Sequence, residues 1–179
     1  MNLDEIIKNR RSIRKFKDTP VDRAVIEACV EAARLAPSAC NAQAWHFNIF
    51  DEEAAKEAFC DAVFTGIYKP MIFFKKAPVI IAVSASIGGN LTTRLGQMVS
   101  GTRFYLIDLG IACEHLVLKA QELGLGTCWI GWFSAKAAKK ALKLPLGHQA
   151  EIIIALGYPD ESPAPRPRKN LKEIITYNR

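Results

Sequence analysis

Hydrophobic residues recur at helical spacing in several stretches of the chain. Between residues 102 and 123 they occur on nearly all sides, which predicts a helix in the centre of the core or in a dimer interface. Elsewhere they form one stripe beside polar positions, as in amphipathic helices that cover a core. These helices are predicted from residue 3 onward, from Thr19 and Pro20 to a stop at Pro37, over 52–64, and over 134–144.

Short apolar runs between these helices predict the strands. Residues 78–86 are almost continuously apolar, which indicates a strand that is buried on both faces. Further strands are predicted at residues 45–50, 127–130 and 150–156. Helices and strands are interleaved without regular alternation, and this order favours a layered α+β fold over a doubly wound parallel one.

Two segments lack these periodic patterns. Residues 87–101 are rich in glycine, serine and threonine, a composition typical of a mobile loop or lid. The proline-rich residues 162–167 cannot form regular structure, so the tail 158–179 is expected to run extended over a surface, such as that of a second subunit. No repeat or linker divides residues 1–179, and this length suits a single domain.

Cysteine usage and hydropathy indicate a cytoplasmic protein. The five cysteines are an odd number without close pairing or metal-ligand spacing, so free thiols and no metal site are expected. No charged segment leads into an apolar stretch at the N-terminus, as a signal peptide would require. The longest apolar run, residues 78–85, is too short to cross a bilayer, and no membrane partner is expected.

The formal net charge of +6 is concentrated in two short clusters near the chain ends. They consist of Lys8, Arg10, Arg11, Arg14, Lys15 and Lys17 in the first and Arg166, Arg168 and Lys169 in the second. Without these nine, 15 basic residues face 18 acidic ones, a balance of −3. A nucleic-acid binder usually spreads its basic residues over a stripe or face, so two local clusters favour one small anion, such as a phosphate monoester, over nucleic acid.

Residues 10–14, with the sequence RRSIR, are suited to binding a phosphate. Arginine forms bidentate, charge-assisted hydrogen bonds to phosphate oxygens, and the serine hydroxyl adds a donor. In an extended segment Arg10, Ser12 and Arg14 point to the same side and could converge on one ligand. The alternative interpretation is a solvated basic strand.

Residues 37–45, with the sequence PSACNAQAW, follow directly on a predicted helix. Their small side chains let a flat ring approach the backbone, and the amides of Asn41 and Gln43 can donate to and accept from a heteroaromatic edge. The alternative interpretation is an ordinary polar turn before a core tryptophan, Trp45.

Residues 124–133, with the sequence GLGTCWIGWF, are glycine-rich but match no phosphate-binding loop. They lack the Lys-Ser/Thr of a P-loop, the full GxGxxG and the acidic partner of a dinucleotide fold. What remains is a helix stop, a short strand and Gly131, whose N–H a planar ligand could approach without steric obstruction. The three histidines have no metal-ligand spacing, and no GxSxG elbow supports Ser/His/Asp catalysis.

Taken in order, these segments resemble the nitroreductase family of flavoproteins. The resemblance runs from Arg10 to Lys169, through RRSIRKF, PSACNAQAWHF, DLGIACEHLVLKAQELGLGTCWIGWF, GYP and PRPRK. It implies a central, mostly antiparallel sheet flanked by helices, in an intertwined homodimer with its sites at the subunit interface. It also implies tightly but non-covalently bound FMN, which passes electrons from NAD(P)H through flavin N5 to a small organic acceptor such as a nitroaromatic, quinone or enone. Because the flavin carries the chemistry, no catalytic side chain is expected.

The resemblance assigns three groups of residues to FMN. The phosphate side would be held by Arg10, Arg11 and Ser12, with Arg14 nearer the pyrimidine edge, and by Arg166 and Arg168 from the other end of the chain. The ring would be contacted across the dimer interface by Pro37, Ser38, Ala39 and Asn41. The strand along the isoalloxazine would be Trp129, Ile130 and Gly131, with a backbone N–H facing N5.

The chain departs from the common family pattern at Ala44 and Trp132, where proline and a second glycine are frequent. These departures bear on the shape of the acceptor pocket, and residues 59–74 and 87–101 are expected to choose the acceptor. The same fold and flavin also admit a different reaction, such as reductive dehalogenation or a flavin-consuming oxidation. A non-catalytic flavin-binding module is a further alternative.

Overall fold

The sheet expected from the apolar runs is present in the computed structural model, which describes residues 2–178. Its strands are β1 (Trp45–Phe50), β2 (Val79–Ser86), β3 (Gly126–Ile130) and β4 (His148–Gly157). They lie in the order β1-β2-β4-β3, and all three neighbouring pairs are antiparallel. The α+β fold with a central antiparallel sheet is therefore confirmed.

Helices cover both faces of this sheet. They are α1 (Leu3–Asn9), α2 (Arg23–Arg34), α3 (Glu53–Val63), α4 (Leu91–Ser100), α5 (Phe104–Glu122), α6 (Ala135–Ala141) and α7 (Leu171–Ile174), with 3₁₀ segments at Ala39–Asn41 and Gly66–Lys76. Helices α2 and α5 share one hydrophobic core with the sheet, and α3 and α6 share a second one on the opposite face. The expected central position of α5 in a core is confirmed.

Strand β2 contributes alternate side chains to the two cores. Ile81 and Val83 pack against α2 and α5, whereas Ile80 and Ala82 pack against α3 and α6. Because successive side chains of a strand point to opposite faces, a strand between two helical layers must be apolar at every position. This explains the uninterrupted apolar run seen in the sequence.

Helix α2 begins later than predicted. The N-cap is Asp22, whose carboxylate accepts a hydrogen bond from the Ala24 N–H at 2.9 Å. Thr19 and Pro20 are exposed and precede the helix, with Val21 buried between them and the cap. An aspartate caps as well as a threonine, and its charge also favours the positive end of the helix dipole, so the later start is favoured.

The prediction of a loop over residues 87–101 is wrong, because α4 occupies most of it. Asn90 caps the helix by accepting a hydrogen bond from the Thr93 N–H at 2.9 Å. Gly101 ends it in a left-handed conformation with φ 70°, and its N–H donates to the Gln97 carbonyl at 2.8 Å. These caps compensate for the weak helix propensity of the residues between them.

The segments around α6 and the tail also differ in detail from the expectation. Helix α6 ends at Ala141, short of residue 144, and Lys143 takes a left-handed φ of 51°. Residues 162–167 have no regular structure, as predicted, but the short helix α7 follows them. That the tail lies over a second subunit stays a prediction.

All five cysteines are free thiols, of which Cys40 is exposed and the others are buried. Burial raises the pKa of Cys29 to about 11 and the pKa values of Cys60 and Cys113 to about 12, so these thiols are poor nucleophiles. Within residues 2–178 no His/Cys/Asp/Glu cluster could hold a metal ion. No helix in the same range is long and apolar enough to span a membrane.

Candidate functional site

The N-terminal basic segment lies along the edge strand β3. Ser12 forms a parallel bridge with Thr127, and the Ile13 N–H donates to the Thr127 carbonyl at 2.9 Å. Ile13 is buried so close to Gly126 that a Cβ on this glycine would lie 2.6 Å from it. Since Ile13 points inward, Ser12 and Arg14 face the other way, and they are half-buried and exposed, respectively.

Arg10 and Arg11 follow the end of α1. The Arg10 Nε lies 3.7 Å from Oε1 of Glu114 on α5. Burial raises the pKa of the Glu114 carboxyl, and the charge of Arg10 opposes this effect. Arg11 folds back, and its Nη1 donates to the carbonyls of Lys8 and Arg10 at 2.8 and 2.9 Å. A guanidinium has five N–H groups, so both arginines keep donors for a ligand.

The positive charges of residues 10–14 act on β3, the strand that leads to the predicted ring contacts at residues 129–131. Burial raises the pKa of the Cys128 thiol in β3, while Arg14 and, more weakly, Arg10 oppose the shift. Further along this strand Trp129 is half-buried and Ile130 is buried. Gly131 is exposed, and no atom lies within 4 Å of the position that a Cβ would take there. The basic segment therefore lies beside a strand that ends at an open backbone.

The second basic cluster is attached to the first through the start of the tail. Backbone hydrogen bonds join Asp160 to Lys15 at 3.0 Å and Lys17 to Tyr158 at 2.9 Å, in an antiparallel register. The Glu161 carboxylate also accepts a hydrogen bond from the Lys15 N–H at 3.2 Å. This register directs the chain after Glu161 back toward the start of the basic segment.

Arg166 and Arg168 lie further along the tail and are exposed. Arg168 Nη1 donates weakly to the carbonyls of Arg166 and Pro167, both at 3.3 Å. Across residues 2–178 no hydrogen bond or ion pair joins either arginine to the first cluster. Arg166 is five residues beyond Glu161 and so at most about 18 Å from it, which keeps it within reach of that cluster. Their phosphate role stays a prediction.

The predicted ring-contacting segment forms a strained turn over residues 38–43. Cys40, Asn41 and Gln43 have φ values of 49°, 51° and 44°, in the left-handed region that residues other than glycine rarely adopt. The Ser38 hydroxyl accepts a hydrogen bond from the Gln43 N–H at 3.0 Å, and Gln43 Nε2 donates to Asn41 Oδ1 at 3.0 Å. Backbone strain of this kind clusters at functional sites.

Two side chains from other elements hold this turn. Asp108 of α5 is only 4% exposed, and its Oδ1 accepts a hydrogen bond from the Ala39 N–H at 3.0 Å. Asn90 Nδ2 donates to the Cys40 carbonyl at 3.1 Å. The sequence patterns single out neither residue, although Asp108 is the one charged residue among residues 104–112, and this is a signal that could have identified it. The turn itself begins after the exposed Pro37.

The turn and the basic segment are both attached to α5, at different places. Asp108 contacts the turn and Glu114 contacts Arg10. These two residues of α5 are about 9 Å apart along the helix axis and about 120° apart around it. One chain therefore carries the two parts of the candidate site on different faces of one helix.

Trp132 connects the end of β3 to the 3₁₀ segment Gly66–Lys76. Its side chain is 54% exposed, and its indole N–H donates to the Ile67 carbonyl at 3.1 Å. The ring packs edge-on against Tyr68, with centroids 5.3 Å apart. Trp132, one of the two departures from the family pattern, therefore contacts residues 59–74, the region that is expected to determine which acceptor binds.

Comparisons with known proteins agree with this arrangement. The model of the nitroreductase family matches residues 7–158. A Methanothermobacter thermautotrophicus protein, named as a candidate NADH dehydrogenase/NAD(P)H nitroreductase, is 31% identical over 170 residues, which cover 93% of this chain and 82% of the relative. A 5,6-dimethylbenzimidazole synthase from Rhodospirillum rubrum is 25% identical over 181 residues, with 91% and 85% covered.

Among solved structures, an FMN-dependent nitroreductase from Clostridium difficile R20291 is 28% identical, with a TM-score of 0.79. The match covers 98% of this chain and 99% of that one. Both the sequence and the fold are thus shared over almost the whole length. The chain belongs to the nitroreductase family.

Proposed function

We propose that the chain is an FMN-dependent oxidoreductase that takes electrons from NAD(P)H and reduces a small organic acceptor, such as a nitroaromatic, quinone or enone. The names of its relatives support an NAD(P)H-dependent reaction, and the C. difficile structure supports FMN as the cofactor. The observation that carries the proposal is the position of residues 10–14 along β3, the strand that ends at the open backbone of Gly131.

The basic segment fits the phosphate end of FMN. A phosphomonoester carries up to about two negative charges near neutral pH. Arg10, Arg11 and Ser12 offer side-chain donors, and each charge-assisted bond would contribute roughly 1.5–3 kcal/mol. The carboxylate of Glu161 lies nearby and accepts hydrogen bonds from the backbone N–H groups of Arg14 and Lys15. These bonds compensate part of the negative charge of Glu161.

The tail would complete the phosphate site. Arg166 and Arg168 would bind from the opposite side, because the antiparallel start of the tail runs back toward Arg10. The two arginines are exposed and form no ion pair with other residues in the range 2–178, so their guanidinium groups are free to bind an anion.

The other two groups of predicted residues fit a planar ring. Gly131 leaves its N–H accessible, and Trp129 and Ile130 fix the strand in front of it by pairing with β4. The strained turn presents small side chains and amides on a surface that is already fixed before a ligand binds. Its contacts to the ring would come from Pro37, Ser38, Ala39 and Asn41 of a second subunit.

A homodimer explains why these parts lie on different faces of α5. In such a dimer, the turn of one subunit would contact a ring whose phosphate is held by the basic segment of the other. Exposed apolar side chains on α4 and α5, among them Met98, Val99 and Ile107, provide surface for the interface. The free thiols support a cytoplasmic location.

The residues of this chain position the reactants and adjust the charge around them. When bound, FMN supplies the hydride-accepting ring, and the protein needs no acid–base side chain of its own. Arg14 would stabilise negative charge at the pyrimidine edge, and solvent water would supply protons. Trp132 and Tyr68 would form one wall of the space in which NAD(P)H and the acceptor bind in turn.

The test is to identify the chromophore released from the purified protein and to follow NADH and NADPH oxidation with nitroaromatic and quinone acceptors. We expect FMN and acceptor-dependent oxidation of the nicotinamide. Protein without flavin would contradict the proposal. Bound FMN without nicotinamide oxidation above that of free flavin would instead indicate a flavin-binding module.

A flavin-consuming oxidation is the second candidate. The observation that favours it is the similarity to a 5,6-dimethylbenzimidazole synthase, whose product contains the same dimethylbenzene ring as flavin. Under this alternative, flavin absorbance would be lost irreversibly in air with a reductant and no other acceptor. Under the main proposal the absorbance would return after each cycle.

A further inference from the structure

We propose that Asn90 and Asp108 are positioning residues that hold the 38–43 turn in its strained conformation, and that Asn90 thereby couples α4 to the flavin site. This inference rests on the proposed function, in which the turn contacts the ring. Neither side chain touches the cofactor in this proposal. Both act through the backbone of Ala39 and Cys40.

The strain of the turn requires an external restraint. Three residues other than glycine, within a stretch of four, have left-handed φ values. Such conformations persist only where the surroundings over-determine them. Hydrogen bonds inside the turn join Ser38, Asn41 and Gln43. Among residues 2–178, the hydrogen bonds that join the turn to other elements of the fold are those with Asp108 and Asn90.

Asp108 provides the fixed side of this restraint. It lies in α5 next to the core residues Leu109 and Ala112, where a buried carboxylate is costly unless it is hydrogen-bonded. Its Oδ1 binds the Ala39 N–H, and within residues 2–178 its Oδ2 has no partner. The hydrogen bond that Asp108 accepts therefore holds the turn.

Asn90 provides the movable side of the restraint, because its side-chain amide bonds to both α4 and the turn. The oxygen caps α4 through the Thr93 N–H at 2.9 Å, and the nitrogen donates to the Cys40 carbonyl at 3.1 Å. Aspartate would cap the helix equally well. Its carboxylate has no hydrogen to donate to the carbonyl, so the amide makes the link.

Helix α4 is suited to respond to the state of the turn. It exposes Leu91, Leu95 and Met98, and it is flanked by Gly89 and Gly101, both with positive φ. Any coupling between two sites is reciprocal, so a ring that binds at the turn should also stabilise α4. Conversely, displacement of α4 should weaken FMN binding through the Cys40 carbonyl.

Asn90→Asp tests the link because aspartate keeps the cap, whereas its carboxylate has no donor for the Cys40 carbonyl. Hydrogen exchange is measured on the flavin-free protein at the amides of Asn41, Ala42 and Gln43, which all bond within the turn. The FMN dissociation constant is then measured by titration. We expect exchange and the dissociation constant both to rise about fivefold, the effect of one neutral hydrogen bond.

Thr93→Val is the matched control for a general loosening of α4. It removes the hydroxyl contacts with the carbonyls of Gly88 and Asn90 and with Asn90 Oδ1, while Asn90 Nδ2 keeps its contact with Cys40. We expect wild-type exchange in the turn and wild-type FMN affinity. Equal effects in both variants, or no effect of Asn90→Asp, would overturn the proposal.

Asp108→Asn and Asp108→Ala test the fixed side. Asparagine keeps a carbonyl oxygen for the Ala39 N–H, so it should retain most of the FMN affinity and turn protection that alanine loses. If asparagine behaves like alanine, this hydrogen bond is not the cause and the role of Asp108 is wrong. Failure of the proposed function would be separate, since wild-type protein would then bind no FMN while exchange in the turn still reports both restraints.

Discussion

Arg10 has to serve Glu114 and a phosphate at the same time. The Arg10 Nε lies 3.7 Å from the carboxylate, which is longer than a hydrogen bond, so the guanidinium keeps N–H groups for a ligand. We expect Arg10→Ala to raise the FMN dissociation constant about 10- to 100-fold, because it removes roughly 1.5–3 kcal/mol of charge-assisted hydrogen bonding. Arg168→Ala should have a similar effect. Flavin titration of the apoprotein measures both.

Arg34→Ala is the control for these two variants. Arg34 forms an exposed ion pair with Glu31 within α2, and such pairs contribute little to stability. Its FMN affinity should equal that of the wild type, and all three variants should remain folded. Full flavin occupancy in both Arg10→Ala and Arg168→Ala would mean that the phosphate binds elsewhere.

Two glycines near β3 separate ligand contact from folding. A Cβ on Gly126 would lie 2.6 Å from Ile13, whereas a Cβ on Gly131 meets nothing within 4 Å. Gly126→Ala should therefore lower the melting temperature of the apoprotein by displacing the basic segment. Gly131→Ala should leave that temperature unchanged but weaken FMN binding, because the methyl group would obstruct the ring. Unchanged FMN affinity in Gly131→Ala would exclude a ring contact there.

At the residue scale, binding residues that lie together in one short segment could be predicted from the sequence. The residues that hold such a segment in place could not. Residues 10–14 are recognisable because four of these five positions carry side-chain donors. Asp108 and Asn90 lie about 70 and 50 residues from the turn that they hold, so only the folded chain brings them to it. A single sequence contains no local pattern for such contacts.

At the scale of elements, hydrophobic periodicity predicts which segments are helices better than where they begin. The choice between Thr19 and Asp22 as the cap of α2 depends on differences below about 1 kcal/mol, and burial of Val21 outside the helix decides it. The glycine, serine and threonine content of α4 is typical of a loop, so the helix is not predicted from composition. Its caps, Asn90 and Gly101, were the local signal for it.

The register of β2 and β4 contains an irregularity next to the half-buried Glu151. Val83 pairs with Ile152 and Ser84 with Ala150, so Glu151 has no partner in the ladder. Its Oε1 is buried and makes no hydrogen bond to another residue in the range 2–178. Burial raises the pKa of this carboxyl, against the opposing effects of the Tyr105 hydroxyl and Arg103.

Glu151→Gln should therefore stabilise the fold near neutral pH. An acid whose pKa is raised on folding adds no penalty below its ordinary value of 4.5, and the penalty grows as the pH rises through the folded value. The variant should gain about 1 kcal/mol of unfolding free energy near pH 8, and the gain should vanish near pH 4. Denaturant unfolding over this range measures it. A gain independent of pH would contradict the electrostatic explanation.

Trp132 joins β3 to the 3₁₀ segment Gly66–Lys76 and should limit the size of the acceptor. Trp132→Gly restores the residue that is frequent in the family and removes the ring that packs on Tyr68. We expect kcat/KM for a bicyclic nitroaromatic to rise about tenfold relative to a monocyclic one, as is typical when a pocket wall is removed. Trp132→Phe keeps the wall and should retain the wild-type ratio. An unchanged ratio in the glycine variant would place the acceptor elsewhere.

At the scale of the whole molecule, the contacts within one chain account for its buried core but not for its exposed apolar surface. The apolar pattern of α5 is compatible with a core or an interface, and the structure shows a buried core side together with Ile107, which is 54% exposed. The strands and the helices that form both cores follow from the pattern of apolar residues, whereas the order of the strands is visible only in the structure. What covers the exposed apolar side chains depends on a second chain, which no intrachain contact specifies.

Mixing two defective variants tests whether each site is built from two subunits. Arg10→Ala removes a phosphate donor, and Asn41→Ala removes a ring contact that is expected to come from the partner. If the variants exchange subunits at random, half of the dimers are mixed, and each mixed dimer has one site with neither defect, so about a quarter of wild-type activity should return. Recovery should follow subunit exchange, and it should be absent when either variant is mixed with itself. A site built within one chain cannot be restored in this way, because every subunit in the mixture carries a defect in its own site.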